Sequence, residues 1–476
     1  MNWSDLPEEI RAMARRAAMP DYALWEQKIR ATGACAHPIR MRGGRTVVDA
    51  ETGELLDSYN TDDDPLGYLL IPCGNRRAQV CPSCSKVYRD DTYQLMLAGL
   101  VGGKGVPDTV SGHPAVFATL TAPSFGPVHT VHRETGRDGL PVRCHVRRNA
   151  ATCRHGVVMC CTQRHEKGEQ IVGQALCLDC YDYPGAVLFN AHAGDLWRRL
   201  TVYFRRELAA TAGVSRTAFA KVARVSFAKV AEYQARGVIH FHAVIRIDGL
   251  DGPDTPPPGW TDAGLIDGCL RRVVKAVSID VPDPKKPDTR MRALRFGGQV
   301  DVQPITESEE LDRGGLKSRT VANYIAKYVT KSTEDTHTPP RRIQRRDLDV
   351  LHLPPHTERM IRTCFELADH PAYRELLLDK WAHMLGYRGH VTTKSRTYST
   401  TYGEIRGERR SYREAERRDR QGLPPIDEDR AVIVEAEWTF VCAGLAYGEA
   451  PIVDAIRRTQ QAARICDGKD DGAAAA

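Results

Sequence analysis

The sequence lacks several features that would assign it to a broad class of protein. Its apolar runs all fall well short of the ~20 residues that cross a bilayer as a helix. Residues Met1–Asp5 have neither the basic start nor the apolar stretch of a signal peptide. We therefore expect a cytoplasmic protein that does not enter the membrane. A Walker A loop is also missing, because Gly103-Lys104 is followed by Gly105 and position 98 is alanine.

A strong excess of one charge is missing as well. The 476 residues include 67 basic and 61 acidic side chains, a net charge of +6. This balance permits nucleic-acid binding but is far from a histone-like excess. Segment 137–167 contains seven Arg and Lys against two acids, and segment 394–420 contains nine against five. A solvated surface would show the same pattern, so charge alone indicates no function.

Cysteine is abundant but unevenly distributed. Ten of the 14 cysteines lie between Cys35 and Cys180. In a reducing compartment, such clustering favours metal binding over disulfides. The pairs Cys81/Cys84 and Cys177/Cys180 each have the Cys-x-x-Cys spacing that supplies half of a tetrahedral zinc site. A redox motif is the alternative, but that motif is a single pair within a βαβ unit.

We expect two structural zinc sites. The ligands predicted for the first are Cys35, Cys73, Cys81 and Cys84. The ligands predicted for the second are Cys153, Cys161, Cys177 and Cys180. Further donors leave this second assignment open, namely Cys144, His155, Cys160 and His165.

The middle of the chain alternates between strand and helix patterns. Apolar spacing predicts the following elements: a strand at Val116–Thr121, a helix at 186–212, a hairpin of Lys221–Gln234 and Val238–Ile247, a helix at 262–277, a loop at 281–289, a strand near Gly298–Pro304 and a helix at 316–332. This order predicts an α+β fold, a split βαβ antiparallel sheet with helices on one face.

Three polar side chains are predicted to meet on the hairpin. His240 and His242 lie two apart in a strand, so they share a face while Phe241 points to the other. A turn at 235–237 places Glu232 opposite His240. Two imidazoles and a carboxylate suit Mg²⁺, Mn²⁺ or another divalent ion, which polarises a phosphoryl oxygen when bound. The alternative is a pair of strand histidines satisfied by neighbours, and a one-residue slip would remove Glu232.

The helix at 316–332 has a polar stripe. At about 100° per residue, Tyr324, Lys327, Tyr328 and Lys331 lie within about 100° of one another, with aliphatic residues on the other side. Phenol is a poor nucleophile at its ordinary pKa near 10. Cationic neighbours and a polarised phosphate make its attack feasible. The alternative is an amphipathic helix that happens to contain two tyrosines.

Together these motifs resemble a known family. His240-Phe241-His242 followed by Tyr324-x-x-Lys327-Tyr328 resembles the His-hydrophobic-His endonucleases that initiate rolling-circle replication, and Phe117–Thr121 resembles their first motif. Two tyrosines four apart are similar to the two-tyrosine branch, as in the gene A initiators of isometric phages. The cysteine-rich N-terminal part looks most similar to replication initiators of actinobacterial plasmids and integrative elements. That resemblance covers most of residues 30–400.

The resemblance implies roles for these residues. Glu232, His240 and His242 would bind catalytic Mg²⁺ or Mn²⁺. Tyr324 or Tyr328 would attack an origin strand, leaving a 5′-phosphotyrosine link and a free 3′-OH, and the other tyrosine would cleave the regenerated origin so that the displaced strand closes. Lys327 and Lys331 would hold the scissile phosphate. The implied partners are single- and double-stranded origin DNA and the host helicase, DNA polymerase and single-strand-binding protein.

The predicted organisation has four parts. They are a zinc-binding region at 1–110, an endonuclease domain at 111–335 with a zinc-ribbon-like insertion at 144–180, a basic and mainly helical region at 336–466, and a disordered tail at 467–476. The runs Arg341–Arg346 and Lys394–Tyr398 suit phosphate contact and base stacking, or simply a solvated surface. Two other functions remain open: a conjugative relaxase with the same chemistry, and a non-catalytic zinc-stabilised DNA-binding regulator.

Overall fold

The structure, a computed structural model, describes residues 3–132, 134–136, 139–306, 316–330, 336, 338–420, 422 and 431–466. The predicted catalytic Lys331 and the predicted disordered tail lie outside the described residues. The chain divides into two compact units, one of Met1–Gln94 with Thr401–Ala476 and one of Leu95–Thr400. None of the described helices combines the length and apolar character that a membrane span needs.

The secondary structure is mixed. The described helices are α1 (Glu8–Ala17), α2 (Tyr22–Ala31), α3 (Pro82–Val101), α4 (Tyr183–Thr211), α5 (Arg216–Val222), α6 (Ala263–Ala276), α7 (Ser318–Val329), α8 (Pro355–Asp369), α9 (Tyr402–Arg420) and α10 (Glu449–Cys466). The strands are β1 (Ile39–Asp49), β2 (Leu55–Asn60), β3 (Leu69–Ile71), β4 (Ala115–Leu120), β5 (Arg224–Tyr233), β6 (Ile239–Asp248), β7 (Ile279–Asp283), β8 (Lys286–Leu294), β9 (Val300–Ile305), β10 (Thr392–Lys394) and β11 (Val432–Ala443).

The first unit is organised around β1, which pairs antiparallel with β11, β2 and β3. Its small core consists of Trp25, Ile29, Ala34, Leu70, Val453 and Ile456. The long strand β11 lies in the region predicted to be mainly helical. Its partner β1 is almost 400 positions earlier in the chain, and such distant pairing leaves no periodic signal in the local sequence.

The second unit contains a five-stranded sheet in the order β10-β5-β6-β4-β9, with every pair antiparallel. Side chains alternate between its two faces. One face, with Phe241 on β6, packs on α4, whose Trp197 ring lies 5.7 Å from the Phe241 ring. Asp182 begins α4 by accepting a hydrogen bond from the N–H of Gly185 at 3.0 Å. The opposite face has Phe117 and the predicted donors His240 and His242.

The predicted α+β class is confirmed, since the chain combines antiparallel sheets with several helices. Each element predicted between residues 116 and 332 lies within three residues of the observed one, apart from the segment 281–289. That segment was predicted as a loop, but most of it belongs to the two-stranded sheet β7–β8. Pro282 is tolerated because each strand of a two-stranded sheet has a free edge.

The position of α7 also corrects the prediction of helices on one face. The Tyr324 ring of α7 lies 5.5 Å from the ring of Phe117. Phe117 faces away from α4, because it alternates along β4 with Val116 and Ala118, which join the core that contains α4. Therefore α4 and α7 lie on opposite faces of the sheet, and α7 lies on the face of His240 and His242.

A buried ion pair holds the far end of that same face. Arg246 and Asp248 on β6 are both 0% exposed, and Nε of Arg246 donates to Oδ1 of Asp248 at 2.6 Å. Ser226 and His113 also bond this carboxylate, at 2.5 and 2.8 Å. Burial alone would raise the pKa of Asp248, but the bonds from His113 and Arg246 outweigh it and lower the pKa.

Asp248→Asn is expected to lower the free energy of unfolding by about 3–5 kcal/mol, because it leaves the Arg246 guanidinium buried without a counter-charge. The matched control is Asp267→Asn, which breaks a surface pair with Arg271 at 2.6 Å and should cost at most about 1 kcal/mol. Urea denaturation of both variants tests the difference. Equal losses would contradict the role assigned to the buried pair.

Candidate functional site

The hairpin β5–β6 brings a carboxylate and two imidazoles together. Glu232 pairs with His240 in the strand register, as the turn position predicted. Its Oε2 lies 3.0 Å from Nε2 of His240 and 3.0 Å from Nε2 of His242. The imidazole rings have centroids 4.5 Å apart. One atom from each of the three residues thus lies within 4.8 Å of the others.

The charge states of these groups suit a cation. Burial alone would raise the pKa of Glu232, but the hydrogen bonds from His240 and His242 outweigh burial and lower the pKa. Burial lowers the pKa of His242, and the bond to Glu232 only partly opposes it. An ionised carboxylate beside a neutral imidazole is a mixed O/N donor set, which could hold a divalent ion.

Thr119 is a site residue whose individual role could not be predicted from the sequence. Its hydroxyl lies 3.0 Å from Nδ1 of His242, so it orients the His242 ring from the side opposite Glu232. The Phe117 ring stacks on the His242 ring at 5.7 Å. Both residues belong to the Phe117–Thr121 strand that resembles a family motif, and that resemblance was the available signal.

The two predicted tyrosines lie beside this group. The Tyr324 hydroxyl is 3.5 Å from Nε2 of His242, and the Tyr328 ring stacks on the His242 ring at 5.9 Å. The two phenol rings are 4.6 Å apart. Lys327 is exposed, whereas Ala322, Ile325, Ala326 and Val329 are buried. The polar stripe predicted for this helix is therefore present in the described residues.

The first predicted set of zinc ligands converges in the first unit. The Cys73–Cys84, Cys81–Cys35 and Cys84–Cys35 sulfur atoms are each 3.7 Å apart. Zn–S bonds of about 2.3 Å at tetrahedral angles place sulfur atoms about 3.8 Å apart. Backbone N–H groups of Ala36 and Cys73 donate to two of these sulfurs at 3.4 and 3.3 Å. The four residues therefore could hold a metal such as zinc.

The second predicted set requires a correction. Cys153, Cys177 and Cys180 do lie together, but their fourth neighbour is His155 and not Cys161. Nδ1 of His155 is 3.3 Å from the sulfur of Cys180 and 3.6 Å from that of Cys177. Cys161 lies in a separate group with His129, Cys144 and His165. Spacing along the chain misassigned Cys161 because more donors are crowded into this segment than one site needs.

Base stacking by the run Lys394–Tyr398 is also excluded by the structure. Tyr398 is 0% exposed, and its hydroxyl donates to the Met96 carbonyl at 3.0 Å. The Arg246 guanidinium lies over its ring at 5.3 Å. In the other basic run, Arg341 pairs with Asp347 at 2.9 Å and Arg345 with Asp369 at 2.6 Å.

The chain is thus a mixed α/β protein in which Glu232, His240 and His242 lie close together beside two tyrosines. A family model described as replication initiator protein, pSAM2 (RepSA), matches residues 21–458. A replication initiator protein from Streptomyces ambofaciens is 44% identical over 458 residues, which cover 96% of this chain and 94% of the relative. The chain therefore belongs to the pSAM2-type family of replication initiator proteins, which confirms the predicted resemblance to actinobacterial replication initiators. No solved structure matches the chain.

Cys84→Ser should lower the zinc bound per chain by one and lower the melting temperature, because metal binding and folding are coupled at such sites. The control is Cys466→Ser, an exposed cysteine of the same unit. Zinc analysis of the purified chain with thermal denaturation provides the measurement. An unchanged zinc content in Cys84→Ser would refute binding by the four cysteines.

Proposed function

We propose that this protein initiates rolling-circle replication of a plasmid or integrative element by nicking one origin strand with a tyrosine and later rejoining the ends. The observation that supports this most directly is the 3.5 Å distance between the Tyr324 hydroxyl and Nε2 of His242. A nucleophile adjacent to a divalent-ion group is the arrangement that phosphodiester transfer needs. Membership of a replication initiator family supports origin DNA as the substrate.

Glu232, His240 and His242 would hold Mg²⁺ or Mn²⁺, which when bound supplies Lewis-acid polarisation of a phosphoryl oxygen. Tyr324 is the nearer phenol to this group. Its oxygen forms the new bond to phosphorus while the bond from phosphorus to the 3′ oxygen breaks. The phenolic proton passes to solvent, and the departing 3′ oxygen takes up a proton. The products are a 5′-phosphotyrosine and a free 3′-OH.

Tyr328 would perform the second cleavage. Its ring lies 4.6 Å from that of Tyr324 on the same helix. Both phenols are therefore close to the cluster of Glu232, His240 and His242. After a round of synthesis, the second phenol attacks the regenerated origin. The released 3′-OH then attacks the first phosphotyrosine and closes the displaced strand into a circle.

Two lysines would assist by charge. Lys327 is exposed on the tyrosine stripe, where an ammonium group attracts the phosphate of an approaching strand. We propose the same role for Lys331, which follows Lys327 by four residues in the sequence. Synthesis and unwinding would be the work of the host polymerase, helicase and single-strand-binding protein.

The double variant Tyr324→Phe/Tyr328→Phe is expected to abolish covalent attachment to single-stranded origin oligonucleotides, because both nucleophilic oxygens are removed. Full-length protein is incubated with labelled oligonucleotides tiled across its replicon, with Mn²⁺ or with EDTA, and resolved on a denaturing gel. The single variants show which phenol attacks first. Tyr412→Phe, at an exposed tyrosine of the other unit, is the control and should retain the adduct.

An adduct that persists in the double variant would refute tyrosine attack. If folded protein binds origin DNA but leaves every oligonucleotide intact, the zinc-stabilised regulator becomes the better explanation. An adduct on a transfer origin, with none on the replication origin, would instead indicate a conjugative relaxase.

Glu232→Ala should lower the rate of adduct formation by about 10²-fold or more. Loss of the carboxylate weakens binding of the divalent ion, and the charge stabilisation that such an ion supplies is worth several kcal/mol. Added Mn²⁺ should partly restore the rate if weakened metal binding is the cause. The control is Glu366→Gln at an exposed position of α8. Wild-type rates in Glu232→Ala at low Mn²⁺ would contradict the assignment.

A further inference from the structure

A third group of metal-ligating side chains lies in the segment between β4 and α4. It consists of His129, Cys144, Cys161 and His165, whose ligand atoms all lie within 4.8 Å of one another. Cys144 and His165 are buried, at 2% and 6% exposure. The sequence predicted only two zinc sites, and it assigned Cys161 to a different one.

The distances within this group fit a tetrahedral ion. Nδ1 of His129 and Nε2 of His165 are 3.2 Å apart, and Nε2 of His165 is 3.5 Å from the sulfur of Cys161. The sulfur of Cys144 is 3.9 Å from Nδ1 of His129. Zn–N bonds of about 2.05 Å and Zn–S bonds of about 2.3 Å give tetrahedral edges of about 3.4 Å between nitrogens and about 3.6 Å between nitrogen and sulfur.

The surrounding hydrogen bonds orient the donors inward. Nδ1 of His165 lies 2.9 Å from Oε2 of Glu169, which places the proton of the neutral ring on Nδ1 and turns the Nε2 lone pair toward the other ligands. The backbone N–H of Thr130 donates to the sulfur of Cys144 at 3.2 Å, an arrangement that stabilises a thiolate. A carboxylate behind a ligating histidine is a common second layer of zinc sites.

The backbone also separates this group from its neighbour. His145 and Cys161 pair as an isolated bridge, with N–H to carbonyl distances of 2.9 and 3.0 Å. Adjacent residues of an extended segment point to opposite sides, so Cys161 points toward His165 and Cys160 points away. Cys160 belongs to none of the donor groups in the described chain.

We propose that His129, Cys144, Cys161 and His165 bind a third structural zinc ion, of Cys₂His₂ type. The ion ties the beginning of the segment at His129 to its later part at Cys161 and His165. The basic stretch around Arg147 lies between two of the ligands in the chain, so the ion restricts its conformations. This proposal does not depend on the nicking chemistry.

The test uses full-length protein that has been loaded with Zn²⁺ and freed of excess metal. Its mass is measured by native mass spectrometry and again after acid denaturation, and the difference gives the number of zinc ions per chain. Cys161→Ser should contain one zinc fewer per chain than the wild type. Cys160→Ser, at the adjacent cysteine, should contain the same number as the wild type. Equal zinc content in Cys161→Ser and Cys160→Ser would overturn the proposal.

A second variant covers the case in which Cys161→Ser does not fold. His165→Cys replaces one donor by another, so the zinc content should be unchanged. When Co²⁺ replaces Zn²⁺, the thiolate-to-cobalt charge-transfer absorption should rise by one thiolate relative to the wild type. An unchanged absorption in folded His165→Cys would show that residue 165 is not a ligand and would also overturn the proposal.

Discussion

The register of the β5–β6 hairpin is the constraint on which both the core and the site depend. Because side chains alternate, a shift of one residue would move Glu232 to the face of α4 and away from His240. A one-residue shift of β6 would instead move Phe241, which packs on Trp197, away from the face of α4. Gly237 supports the turn with a φ of +74°, and a Cβ there would lie 2.7 Å from Leu385. Burial of the apolar face therefore also aligns Glu232, His240 and His242 on the other face. No additional interaction is needed to bring them together.

This coupling explains which parts could be predicted from the sequence. The hairpin, its pairing and the polar stripe of α7 are local, and the periods of two and 3.6 residues specify them. The face on which α7 lies is not local, since it depends on how Tyr324 packs with Phe117 some 200 positions earlier in the chain. The partner of β11 could not be predicted for the same reason. Cys161 was misassigned because spacing identifies potential ligands but does not distinguish between two sites that share one segment.

The segment between β4 and α4 shows how such a region can be stabilised without a large core. Its described residues form isolated bridges instead of regular strands and helices. Ordering a long loop costs conformational entropy that a few bridges do not offset. Two groups of four cysteine and histidine donors lie within it, and tetrahedral ions at these groups would link positions far apart in the chain. The segment does contain apolar residues, but several of them are exposed, such as Leu140, Val146 and Val158 at 50%, 57% and 52%. On this view the clustered cysteines stabilise a segment in which several apolar side chains are not gathered into a core.

The proposed chemistry also explains why one cluster of Glu232, His240 and His242 beside two phenols would be sufficient for both cleavages. A phosphodiester exchanged for a phosphotyrosine conserves the bond energy, so rejoining the strand needs no nucleotide cofactor. Reversal requires only that the 3′-OH and the phosphotyrosine remain close. The two phenol rings, 4.6 Å apart on one helix, both lie near His242. His242 is on β6, and the buried pair of Arg246 and Asp248 holds the other end of that β-strand. This exchange does not drive separation of the DNA strands, so a host helicase would be needed for that step.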